Sequence, residues 1–66
     1  MKSSELLKLL YKDGWYLVSQ KGSHMKLAHP TKRTSLPSGY LIFAYHGSDE
    51  VPKGSENKYL KETGLK

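Results

Sequence analysis

A chain of 66 residues without a cysteine can hold a fold only by packing its own apolar side chains. Neither a disulfide scaffold nor a thiolate zinc site is open to it. A domain of this size buries only about 60% of the surface its unfolded chain exposes. Residues 1–66 therefore read as one domain with a thin core and little room for a deep pocket. Chemistry in such a domain belongs on the surface, with the substrate bringing much of the shape. No apolar run approaches the roughly 20 residues that span a bilayer, and the first residues lack the apolar block of a signal peptide. These features predict a cytoplasmic protein that engages no membrane.

The apolar pattern divides the chain into five elements. Ser3 or Ser4 is placed to cap a helix, with Glu5 in its first turn. Leu6 and Leu10, and Leu7 and Leu10, fall at helical spacing, while Lys8 and Lys12 point away. Gly14 ends the helix in a left-handed conformation. Residues 15–20 favour a strand, Lys21-Gly22-Ser23 a turn, and residues 24–29 a second strand. In that second strand His24, Lys26 and Ala28 alternate with Met25, Leu27 and His29. Residues 30–39 read as an exposed loop and residues 40–45 as the strongest strand. A polar connection leads from His46 to a second helix, capped by Gly54 or Ser55 and ending before Gly64. Glu56 and Asn57 offer that helix no core contact. The order helix–strand–strand–strand–helix predicts an α+β fold, a three-stranded antiparallel sheet with both helices on one face. Double-stranded-RNA-binding domains share this order.

Charge narrows the function. The net charge is +5, and all six acids lie outside residues 14–48, at Glu5, Asp13, Asp49, Glu50, Glu56 and Glu62. The acid-free stretch holds Lys21, Lys26, Lys32, Arg33 and all three histidines, interleaved with Trp15, Tyr16, Tyr40, Phe43 and Tyr45. Cations interleaved with rings suit a polyanion held by phosphate contacts and base stacking. They suit equally a basic protein whose lysines keep it in solution. One of Trp15 and Tyr16 is expected in the core and the other outside.

Lys2-Ser3-Ser4-Glu5-Leu6-Leu7-Lys8-Leu9-Leu10, then Asp13-Gly14-Trp15, then Lys21-Gly22-Ser23-His24 resemble the HicA family of toxin–antitoxin ribonucleases. So do Val51-Pro52-Lys53-Gly54-Ser55, Leu60-Lys61 and Gly64-Leu65-Lys66. The resemblance spans nearly the whole chain, and Gly22-Ser23-His24 is its most specific part. It implies a double-stranded-RNA-binding-like fold, cleavage of messenger RNA, neutralisation by a HicB antitoxin, and a catalytic role for His24. Residues 30–39 are longer than the usual connection in the family, and Glu56 stands near a point that is usually apolar.

On chemistry alone, His24 reads either as a solvent-facing strand residue or as the acid–base group of RNA cleavage, since an imidazole exchanges protons near neutral pH. Lys21 and Lys26 are placed to steady a phosphate, and Gly22 lets a substrate backbone come close. Ser23 either bonds a phosphate or finishes the turn. Lys32 and Arg33 are expected as nonspecific phosphate contacts. His29 reads as structural or exposed, and the resemblance to the family makes His46 a secondary candidate. The three histidines lack the spacing of a metal site, so neither metal nor other cofactor is expected. The predicted function is a metal-independent endoribonuclease toxin that acts on messenger RNA. The alternative is a noncatalytic RNA-binding module.

Overall fold

The computed structural model describes residues 1–34 and 38–66. The elements are α1 (Ser3–Asp13), β1 (Tyr16–Lys21), β2 (His24–Ala28), β3 (Leu41–Ala44) and α2 (Lys53–Glu62). The three strands form one antiparallel sheet in the order β1-β2-β3. The fold is α+β, and its order is that of double-stranded-RNA-binding domains.

Burial alternates along β2 and β3 and shows which sheet face is covered. Met25, Leu27, Leu41 and Phe43 are buried and pack with Leu6 and Leu10 of α1 and, from α2, Tyr59 and Leu60. Met25 stands opposite Phe43 and Leu27 opposite Leu41 in the ladder, so both helices cover one face. His24, Lys26, Ile42 and Ala44 consequently turn to the other. Trp15 enters the core at 2% exposure, leaving Tyr16 outside at 52%.

α1 ends as its sequence predicts. Gly14 adopts φ 112°, and the amides of Gly14 and Trp15 donate back to Tyr11 and Leu10 carbonyls. Its start differs from the expectation, because neither serine hydroxyl caps it. The Ser3 and Ser4 amides instead donate to the carbonyls of Asp49 and Gly47, and the Lys2 amide donates to Glu5 Oε1. Ser3 is buried, and its Oγ accepts the His46 amide at 3.0 Å. The loop leaving β3 thus closes the first turn of α1, a tertiary solution to unpaired helix donors.

α2 begins at Lys53, just after Pro52, rather than behind a Gly54 or Ser55 cap. Proline supplies a fixed backbone angle at the helix entry, and no side-chain cap bond forms there. Glu56 is not idle: its carboxylate lies 3.1 Å from the Met1 amino group, which Glu50 also holds at 3.0 Å. The two carboxylates, Glu50 first, raise the amine above its ordinary pKa of 8.0.

Residues 30–34, 38 and 39 are less loose than a polar loop suggests, and 35–37 lie outside the described residues. The Thr34 amide donates to the Gly39 carbonyl, and the Thr34 hydroxyl donates to the Tyr40 carbonyl. Lys32 ties the same segment to both helices, donating to Asp13 Oδ2 at 2.7 Å and to the Thr63 carbonyl at 3.1 Å.

Candidate functional site

The uncovered sheet face is built by register. His24 stands opposite Ala44 on β3 and opposite Lys21 on β1, while Lys26 stands opposite Ile42 and Ser19. The ladder between β1 and β2 is irregular between Leu17 and Ser19. Val18 is the extra residue of this β-bulge. Successive side chains of a regular strand alternate faces, so without the bulge Ser19 would share the helix side of the sheet with Leu17, which stands opposite Leu27. The bulge turns Ser19 and Lys21 to the side of His24. A shallow groove of about 270 Å³ runs between Ser19, Lys21, His24, Lys26 and Ile42. No strand carries a carboxylate, so no negative side chain lines the groove.

His24 is exposed, and among the described residues no hydrogen bond or ion pair engages its ring. Gly22 beside it adopts φ 59°, a left-handed turn conformation, and a side chain there would meet nothing within 4 Å. The approach to His24 over the turn is therefore open. The Ser23 carbonyl accepts the Tyr45 amide at 2.7 Å, pinning the turn to the end of β3. The Lys26 ammonium lies 5.3 Å from the centroid of the Tyr40 ring, a cation–π distance.

Lys32 and Arg33 belong to another part of the molecule. They follow β2 at its far end, beyond about 13 Å of strand from His24. Lys32 spends its charge on Asp13 and Thr63, and Arg33 packs its guanidinium against Gly39. With Lys61 and Gly64 they line a separate hollow beside the end of α2. The structure brings Lys21, Gly22, Ser23, His24 and Lys26 together and leaves Lys32 and Arg33 apart.

His29 is structural. Its Nε2 donates to the Asp13 carbonyl at 2.8 Å, and its Nδ1 accepts the amides of Thr31 and Lys32 at 3.1 Å. A carbonyl can only accept, which assigns the proton to Nε2. The ring also meets Trp15 edge-on with centroids 5.2 Å apart. His46 is exposed and lines a cleft of about 420 Å³ with Ser3, Asp49, Ser55 and Tyr59. Among the described residues, no three histidine or carboxylate side chains converge to hold a metal ion. Nor is any helix among them long and apolar enough to cross a membrane.

The family of HicA toxins of bacterial toxin–antitoxin systems matches residues 3–65. The chain belongs to the HicA toxin family. A search of curated proteins found no match. In this HicA-family chain the triplet Gly22-Ser23-His24 lies at the β1–β2 turn and opens onto the cationic groove. Ser19 and Ile42 were not singled out for this face by the sequence, and Tyr40 was named only among the rings interleaved with the cations. The alternation of residues 40–45 contains the signal for Tyr40 and Ile42, whereas Ser19 depends on a bulge that strand propensity does not register.

Proposed function

We propose that this HicA-family toxin is an endoribonuclease that cleaves messenger RNA with His24 as its acid–base group. The observation that carries the reading is the exposed imidazole at the start of β2, with Lys21 directly opposite and Lys26 two residues on, in a groove free of carboxylates. A neutral imidazole takes the proton from the attacking oxygen, either the neighbouring 2′-hydroxyl or a water. The protonated imidazole returns a proton to the departing 5′-oxygen. Lys21 and Lys26 offset the negative charge that grows on the phosphorane oxygens. Gly22 keeps the approach clear, and Ser23 lies within reach of a phosphate oxygen. The reaction on this account uses no metal. A HicB-type antitoxin silences the toxin, and the cytoplasm, where messenger RNA is found, is its place of action.

The noncatalytic alternative has one observation in its favour: no side chain orients the imidazole of His24 among the described residues. Expression of the wild-type chain without antitoxin separates the two readings. Growth arrest with cleaved messenger RNA is expected, and His24→Ala is expected to lose both while keeping its circular-dichroism spectrum and melting temperature. Cleavage by His24→Ala at the wild-type rate would rule out the nuclease mechanism. Cleavage in the presence of a chelator is expected to continue, and strict dependence on a divalent ion would overturn the metal-free chemistry.

A further inference from the structure

Beyond the groove around His24, the same uncovered face carries rings. Three cross-strand rows cross it. The first holds Lys21, His24 and Ala44, and the second Ser19, Lys26 and Ile42. In the third, Tyr16 stands opposite Ala28. Tyr40 immediately precedes Leu41 of the covered face, so alternation turns it to the open one, and the Lys26 ammonium over its ring agrees. Ala28 faces away from the helices and is nonetheless only 7% exposed, in keeping with rings on either side of it. Tyr16 and Ile42, by contrast, are large apolar groups left 52% and 43% exposed. No hydrogen bond to the Tyr16 hydroxyl is formed among the described residues.

The geometry points to a nucleobase subsite formed by Tyr16 and Tyr40, in which an unpaired base of a single-stranded RNA stacks while a phosphate of the same strand lies at His24. The inference rests on the ribonuclease reading of His24 and adds to it the form of the substrate. Each row lies two residues, or about 6.7 Å of strand, from the next, so the rings stand two rows from His24 along the direction an extended strand would follow. Only unpaired nucleotides can present a base face to a ring on a flat sheet, because a duplex keeps those faces inside its own stack. Base–aromatic stacking also tolerates any sequence. The charges agree with this occupant. Lys26 sits between the rings and the His24 row and can pass from the Tyr40 ring to a phosphate, and none of the three strands contributes a carboxylate to repel the chain. An acidic protein segment would use the lysines but would leave unexplained the exposed Tyr16 ring beside the half-buried Tyr40 ring that Lys26 covers.

The test measures binding of a labelled single-stranded RNA octamer by fluorescence anisotropy in the His24→Ala background, which prevents cleavage, with cleavage followed separately in chains that retain His24. Tyr16→Ala is expected to weaken octamer binding about tenfold, the scale of losing one stacking ring. Tyr16→Phe should stay close to the parent, and Tyr40→Ala should weaken binding in the same direction as Tyr16→Ala. An octamer lacking its bases should bind weakly and indifferently to Tyr16→Ala, and a duplex of equal length should bind less tightly than the single strand. Because Tyr16 is an exposed edge residue, its variants should keep the parent melting temperature. Unchanged octamer affinity in Tyr16→Ala, alongside cleavage that still requires His24, would overturn the stacking subsite and leave the nuclease reading standing. Absence of any RNA binding or cleavage would overturn both and leave the face to a protein partner.

Discussion

Lys21 stands directly across the β1–β2 ladder from His24 because β1 carries one residue more than β2 between them. With Leu17 opposite Leu27, a regular ladder would place Gln20 opposite His24 and push Lys21 into the turn. The bulge at Val18 therefore sets which charge the imidazole meets. Bulges often re-aim a side chain next to an active site, and this one brings a second cation to a face that already holds Lys26.

Lys21 and Lys26 should accordingly report on RNA directly. Each change to alanine is expected to reduce the slope of log K against log salt by about 0.7 for a single strand, the value for one phosphate contact. Lys32→Ala should leave that slope unchanged, because its ammonium is held by Asp13 and Thr63. A Lys32→Ala slope reduced as much as that of Lys21→Ala would place RNA on the opposite end of the molecule.

The role of Lys32 should emerge in stability. The ammonium, bonded to the Asp13 carboxylate, holds that carboxyl below its ordinary value of 3.8. A carboxyl whose pKa is depressed on folding stabilises the fold above its unfolded value, and the contribution disappears as pH falls through the lowered one. Lys32→Met should thus melt at a lower temperature than wild type at pH 7. The gap should narrow as the pH drops from about 4 toward 2. An unchanged gap at acid pH would mean that Asp13 is not the partner that matters.

Gly14 and Gly22 both lie in the left-handed region, yet they should respond differently to substitution. A Cβ on Gly14 would stand 2.9 Å from His29 Nε2, inside the bond that ring makes to the Asp13 carbonyl. Gly14→Ala is expected to cost more than about 1 kcal/mol in chemical denaturation, since steric conflict adds to backbone strain. Gly22 meets nothing within 4 Å, and asparagine tolerates the left-handed region, so Gly22→Asn should lose less. Equal losses would show that backbone angle alone governs both sites.

Ser3→Ala removes the acceptor of the His46 amide from a buried position. A loss of about 1–3 kcal/mol is expected, the cost of an unsatisfied buried donor. His46→Ala keeps that backbone bond and changes an exposed side chain, so its stability should lie within about 0.5 kcal/mol of wild type. If denaturation midpoints reverse this order, the joint between α1 and the β3–α2 loop depends on the imidazole rather than on the main chain.

Much of this arrangement is legible in local pattern. Alternation in residues 24–29 places His24 and Lys26 on one face and Met25 and Leu27 on the other, as the burial of Met25 and Leu27 shows. Helical spacing of the leucines and Gly14 delimit α1, and the short acid-free strands already mark a cationic surface. Strand ends shift by a residue: Trp15 leaves β1 for the core, and Tyr40 and Tyr45 fall outside β3. The start of α1 is harder to read, because serine is the usual cap and nothing local reveals that loop carbonyls will take its place.

The sequence by itself determined the order of the elements, the division of β2 into two faces and the place of His24 beside a glycine turn. Each follows from periodicity or propensity acting over a few neighbouring residues. Only the tertiary structure decided that Lys21 faces His24, that Lys32 belongs to Asp13 and Thr63, and that Ser3 serves His46. The pairs of Lys32 with Asp13 and of Ser3 with His46 join residues 19 and 43 positions apart. Such partners meet only after the sheet and helices have packed, and a one-residue bulge leaves no mark on the hydrophobic pattern that precedes it.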